Sequence, residues 1–136
     1  MINGPILSKL NLLDEVLNEL RTLEPATLAQ LEEDWRTRRA IERDLQVLVE
    51  IVVDVCQRLI ALADQSPAAT GAEAIRRCVQ LGVLESEEPY RKMVQFRNFI
   101  VHRYERIDPA ILADVVNRRL GDFDLFRKLV MAYAAR

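Results

Sequence analysis

The sequence predicts an all-α protein, a bundle of about five helices. Three observations carry that expectation. Apolar residues recur every three or four positions along nearly the whole chain, the spacing of one helix face. No stretch alternates apolar and polar residues as a half-buried strand would. Four glycines and five prolines are too few for the many turns of an all-β fold. The chain has 136 residues, 50% of them hydrophobic and 29% charged, which fits one soluble domain over residues 1–136 rather than a disordered chain. A chain this long buries roughly two-thirds of its unfolded surface and needs no disulfide or metal staple.

Each element follows from local signals. Ile6, Leu10, Leu13, Leu17 and Leu20 step by four and three, so residues 6–22 read as an amphipathic helix closed off by Pro25. Residues 27–33 read as a short helical turn. Asp34 is an N-cap for the longest element, because its carboxylate can accept the free N–H groups of a first turn. Ile41, Leu45, Leu48, Val52, Val55 and Leu59 then form an unbroken stripe to about residue 64. Val47, Ile51, Cys56 and Ile60 widen it, so this helix needs more than one neighbour, and a second copy of the chain is a candidate for one of them. Residues 65–71 are the clearest loop. A short helix over 72–81 stops at Gly82. Ser86 is expected to cap a helix over 87–102, and Asp108-Pro109 to start the last element. Gly121 either splits that element or bends it.

Composition excludes several functions. No apolar run reaches the roughly 18 residues that span a bilayer. The N-terminus lacks a basic stretch followed by an apolar core, so no signal peptide is expected, and the location is expected to be cytoplasmic. Cys56 and Cys78 form no CxxC pair, and one histidine cannot complete a zinc site, so two buried reduced thiols and no metal or cofactor are expected. No glycine-rich phosphate loop is present. Net charge is −2, but its distribution is uneven. Residues 1–35 carry two basic and seven acidic side chains, and residues 89–107 carry Arg91, Lys92, Arg97, Arg103 and Arg106 against Glu105 alone. Such a local basic patch can hold an anion at one place.

Inside that patch lies the one histidine, His102, in Arg97-Asn98-Phe99-Ile100-Val101-His102-Arg103-Tyr104. Arg97 stands one turn from Met93 and Ile100 and so leans toward an apolar face, where a guanidinium needs an anionic or polar partner. A step of five residues rotates about 140° around a regular helix. Arg97 and His102 therefore meet only if the helix ends near Val101 or if two chains bring their copies together. An imidazole beside a guanidinium suits cleavage of RNA: His102 moves a proton, Arg97 stabilises charge on phosphorus, and Asn98 adds a hydrogen bond. The same residues also fit a purely structural role, a cation at a helix C-terminus and an interface histidine.

The stretch resembles the signature of the HepT-like branch of the HEPN superfamily: Arg, four to six residues, His, then x-Tyr. Arg97, Asn98, His102 and Tyr104 match that pattern. Residues 39–46, the Leu81-Gly82-Val83-Leu84 run and the Ile107-Asp108 turn are also similar to it, so the likeness covers about 35–130. The resemblance implies a homodimeric HEPN-like bundle with the motif at the dimer cleft. It implies a metal-independent endoribonuclease toxin of a type VII-like HepT/MntA pair, with Arg97 and His102 catalytic and Asn98 supporting them. It further implies a partner, an MntA-like nucleotidyltransferase antitoxin that transfers AMP to Tyr104. A bulky anion on Tyr104 would block an RNA phosphate by charge and volume. The alternative is a non-catalytic subunit that presents nucleotide or substrate to a nucleotidyltransferase.

Other candidates are weaker. Arg91, Arg103 and Arg106 could contact RNA phosphates. Trp35-Arg36-Thr37-Arg38-Arg39 is basic and aromatic, and either flanks an RNA cleft or forms a solvated first turn. Glu42 and Asp44 suit the start of a helix more than a catalytic pair. The acidic residues of 1–35 form a solvated face or meet a basic partner surface.

Overall fold

A computed structural model describes residues 3–102 and 107–136, and among them every regular element is helical. Helix α1 (Gly4–Arg21) is capped by Asn3, whose Oδ1 accepts the Ile6 N–H at 3.0 Å. The expected leucine stripe is buried, with Val16 added to it. The short turn becomes α2 (Leu28–Glu33), capped by Thr27. Asp34 caps α3 (Trp35–Leu62), its Oδ1 accepting from Arg36 N at 3.1 Å and Thr37 N at 3.2 Å.

Helices α1 and α3 run antiparallel. Lys9 pairs with Asp54 at 3.0 Å near one end, and Asp44 feels Glu19 near the other. Leu10, Leu13 and Leu17 of α1 and Leu45, Leu48 and Val52 of α3 are among the buried core residues. Helix α7 (Gly121–Ala134) lies against α1, tied by Arg127 to Asp14 at 2.9 Å and by Arg21 to Asp124.

The loop after α3 is held by its own side chains. Gln57 donates to the Ala68 carbonyl and accepts from its N–H, both at 2.9 Å. Helix α4 (Gly71–Gln80) opens on a reciprocal cap: Thr70 Oγ1 accepts from Glu73 N at 3.1 Å, and Glu73 Oε2 accepts from Ala69 N at 2.8 Å. It closes as expected at Gly82, whose φ of 83° permits bonds from Val83 N to the Cys78 carbonyl and from Gly82 N to the Val79 carbonyl. Gly71 is also a point of tight packing. A Cβ there would stand 3.1 Å from Val94 and 3.3 Å from Val53.

Three expectations need correcting. The helix expected to start at 87 begins at Tyr90: α5 is Tyr90–His102. Ser86 caps only the turn before it, its Oγ accepting from Glu88 N at 3.2 Å. The count of about five becomes seven α-helices among the described residues, because the 27–33 turn is a full helix and the last element is divided. Helix α6 (Pro109–Asp114), capped by Asp108, runs into a π-helical turn at Val115–Arg119 before α7 starts at Gly121. Gly121 itself meets nothing that would demand a glycine. The break is held instead by Asn117, which accepts from Ala26 N at 2.8 Å and donates to the Ala26 carbonyl at 2.9 Å.

Cys56 and Cys78 are both free and buried, with Cys78 Sγ 3.6 Å from the Cys56 carbonyl. The neighbouring thiol and burial together push the Cys56 thiol well above its usual range. No helix among the described residues is long and apolar enough to cross a membrane.

Candidate functional site

Helix α5 carries the motif, and its exposure pattern sorts the motif's residues. Tyr90, Val94, Arg97 and Val101 step by four, three and four, and they lean toward the body of the protein. Tyr90 and Val94 are buried, while Arg97 and Val101 are half-buried. Arg91, Gln95, Asn98 and His102 repeat the same steps on another side, and all four are exposed. Arg97 and His102 therefore lie on different sides of one helix, as the 140° rotation between them requires. The helix does not end early enough to bring them together, since it continues through His102.

Arg97 is the stressed member. Its Nε is buried and has no hydrogen-bond partner among the described residues. Burying a guanidinium N–H without an acceptor costs free energy, and Arg97 bears that cost here. Residues 103–106 fall outside the described residues, and with them Arg103, Tyr104 and Arg106.

The level of the site follows from packing. Tyr90 senses Cys56 electrostatically, and Val94 meets Val53 around Gly71. Rising numbers on α5 thus face falling numbers on α3, so the two helices are antiparallel. Arg97 to His102 come level with the first half of α3. On one flank of α5, Met93 and Phe96 join Leu45, Val49, Val115 and Phe123 in lining an apolar groove of about 280 Å³. The π-helical turn thus contributes to the groove wall, a placement that sequence periodicity did not signal.

Two earlier candidates change character. In the Trp35–Arg39 segment, Trp35 is 59% exposed with the Arg36 guanidinium 5.4 Å from its ring centre. Arg38 is not available to RNA: it is buried and donates to the Leu31 carbonyl at 3.1 Å. Glu42 is buried too, with Arg39 Nη1 at 3.5 Å, rather than solvated at a helix start. Asp44 is pushed up to about 6, by burial first and by the neighbouring Glu19 second. Of the acidic N-terminal third, Asp14 pairs with Arg127 and Asp34 caps α3, while Glu15, Glu24, Glu32 and Glu33 stay exposed. Among the described residues no three His, Cys, Asp or Glu side chains gather as metal ligands would.

Residues 13–130 match the family model of ribonuclease HepT-like proteins. The chain belongs to the ribonuclease HepT-like family. No curated protein matches it. Among solved structures, the HepT-like chain is similar to a tri-AMPylated Shewanella oneidensis HEPN toxin in complex with MNT antitoxin. That match has a TM-score of 0.87 at 20% identity, over 96% of this chain and 99% of that one. A toxin–antitoxin complex with AMP-PNP matches with a TM-score of 0.86 at 19% identity, over the same shares. A mutant of the toxin–antitoxin MntA-HpeT matches with a TM-score of 0.83 at 20% identity, again over the same shares. At these identities the likeness establishes the HEPN toxin fold.

Proposed function

We propose that this HepT-like protein is a metal-independent endoribonuclease toxin of the cytoplasm, restrained by a nucleotidyltransferase antitoxin. The observation that carries the reading is the family match over residues 13–130, in a chain whose α5 presents Arg97, Asn98 and His102. His102 takes the proton of a ribose 2′-hydroxyl as the 2′-oxygen attacks phosphorus. The P–O5′ bond breaks, and a proton returns to the leaving 5′-oxygen. The products are a 2′,3′-cyclic phosphate and a 5′-hydroxyl. Arg97 balances the charge that builds on the phosphoryl oxygens, and Asn98 donates to the same group.

One chain cannot complete this site by itself, because Arg97 and His102 point to different sides of α5. A homodimer resolves the difficulty by setting the Arg97 of one copy near the His102 of the other. The half-exposed Met93, Phe96, Ile100 and Val101 on α5, and Val47 on α3, support such a covered face.

Tyr104 supplies the control. A nucleotidyltransferase partner transfers AMP from ATP to its phenol oxygen, and pyrophosphate leaves. The added phosphate sits two residues from His102 and competes with RNA by charge and bulk. The neighbouring structure of an AMPylated HEPN toxin with MNT antitoxin supports this reading.

The test is cleavage of single-stranded RNA by the unmodified protein in excess EDTA, beside His102→Ala. Cleavage should survive EDTA and fall by about 10² or more in the variant, as loss of general acid–base catalysis implies. The variant should keep its helical content and its dimer. A variant that loses the dimer would make His102 a structural residue. A second reading, a non-catalytic nucleotide-presenting subunit, is favoured by the net charge of −2, which opposes general RNA affinity. No cleavage by the unmodified dimer would establish it over the first.

A further inference from the structure

The exposed stripe of α5 does not stop at the motif. From His102 it runs back through Asn98 and Gln95 to Arg91, eleven residues or about 16 Å along the axis. All four side chains are polar, and all four are exposed. At its far end Arg91 joins Arg76 of α4 in lining a shallow depression with Thr70, Ala72, Glu73 and Glu87.

Part of the acidic charge at that end is already taken up internally. Glu73 is already held by Arg77 at 3.3 Å and by the Ala69 N–H at 2.8 Å. Arg76 reaches it only at 3.7 Å, with its side chain 57% exposed. The Arg91 side chain makes no hydrogen bond or ion pair among the described residues, while its backbone N–H donates to the Glu87 carbonyl at 2.9 Å. The lining thus balances Arg76 and Arg91 against Glu73 and Glu87, with Glu73 also held by Arg77 from outside the lining. The groove on the other flank of α5 is mostly apolar, and its Lys92 and Arg119 are matched by Asp114 and Asp122.

We infer that this stripe is the track for the RNA strand, with Arg91 and Arg76 forming a remote phosphate subsite and Gln95 bridging it to Asn98 and His102. The inference rests on the ribonuclease reading and deepens it. The cut phosphate sits at His102. The strand then follows α5 toward its N-terminus, and a backbone phosphate several nucleotides away is taken by the two arginines. Gln95 offers its amide to the sugar or phosphate between. These are positioning residues, since none of them touches the reacting atoms. Substrates long enough to reach the subsite gain affinity from it, and a dinucleotide does not.

The experiment measures binding of a 2′-O-methylated single-stranded RNA, which cannot be cut, over a series of KCl concentrations. Arg91→Gln and Arg76→Gln are compared with Arg118→Gln, which removes an exposed arginine on the π-helical turn. Each track variant should lower the slope of log affinity against log salt by about one, the signature of one lost phosphate contact. Both should raise KM for a long RNA several-fold and leave kcat and dinucleotide cleavage unchanged. The Arg118 variant should change none of these. An unchanged slope in Arg91→Gln, or an equal drop in Arg118→Gln, overturns the track. Cleavage assayed beside binding separates the two ideas. Cleavage that ignores Arg91 ends the track alone. Binding that depends on Arg91 without any cleavage keeps the track and ends the ribonuclease reading.

Discussion

Helices α3 and α5 are neighbours built to opposite ends. Of the 28 residues of α3, twelve are buried, and they run its whole length. Of the 13 residues of α5, only Tyr90 and Val94 are buried, both in its first half. Helix α3 is the beam on which α1, α2, α4 and α5 are laid. Helix α5 has its fully buried residues only in its first half, and its second half carries partly buried apolar residues together with every described residue of the motif. The difference teaches that the matched motif lies on a helix other than the one that carries most of the core. The motif sits in the half of α5 that has no fully buried residue, which is where the proposed dimer would add a second surface.

The strongest test of that division sets Leu48→Ala against Phe96→Ala. Leu48 is wholly buried in the middle of α3, and its truncation leaves a cavity with no slack around it. We expect a loss of about 3 kcal/mol, near the middle of the range for buried leucines, and a melting temperature lower by about 10 °C. Phe96 is half-buried at the apolar groove beside the motif. Its truncation should move the melting temperature by a few degrees at most and weaken dimerisation measured by sedimentation. Equal losses of melting temperature in the two variants would mean that α5 belongs to the core as fully as α3.

A smaller effect is expected at the junction of the two regimes. Tyr90 is buried at the root of α5, edge-on to Phe126 with ring centres 5.8 Å apart. Its hydroxyl has no hydrogen-bond partner among the described residues, and burial pushes its pKa up to about 12. Tyr90→Phe removes a desolvated hydroxyl and keeps the ring. It should stabilise the fold by about 1 kcal/mol in denaturant titrations. A loss of similar size would show that a buried water pairs with the hydroxyl.

The sequence-level reading succeeded where the rules are local. The leucine stripe of α1, the Asp34 cap, the 65–71 loop and the Gly82 stop depend on residues within a turn of one another, and all appear as expected. So does the separation of Arg97 from His102, which is helical arithmetic. What stayed hidden depends on distant partners. The division of the last element needs Asn117 to find Ala26, 91 residues away. Burial of Arg38 needs the Leu31 carbonyl of a separate helix, so a run that reads as a basic surface holds a core residue. Asp14 looked like a member of one acidic face, and its partner Arg127 lies on a separate helix far along the chain. The stripe from Arg91 to His102 shares its spacing with the inward stripe one residue away, and only exposure separates the two.

The smallest effect tests the stable half of the comparison from within. Asp44 stands on α3 facing Glu19 of α1, and its carboxyl is raised from the ordinary 3.8 to about 6. A carboxyl with a raised folded pKa is a source of instability once ionised. Its favourable contribution is complete below pH 4 and disappears as pH rises through about 6. Between pH 4 and 7 this site therefore weakens the α1–α3 contact as pH increases. The side chain is only half-buried, so solvent screens part of the repulsion, and about 1 kcal/mol is a reasonable ceiling. Asp44→Asn should raise stability at pH 7.5 by up to that amount and have almost no effect at pH 4. Unfolding by urea at the two pH values reads the difference directly. Equal effects at both would mean that the Asp44–Glu19 repulsion is relieved by solvent, and that α1 and α3 are held as firmly there as along the rest of their length.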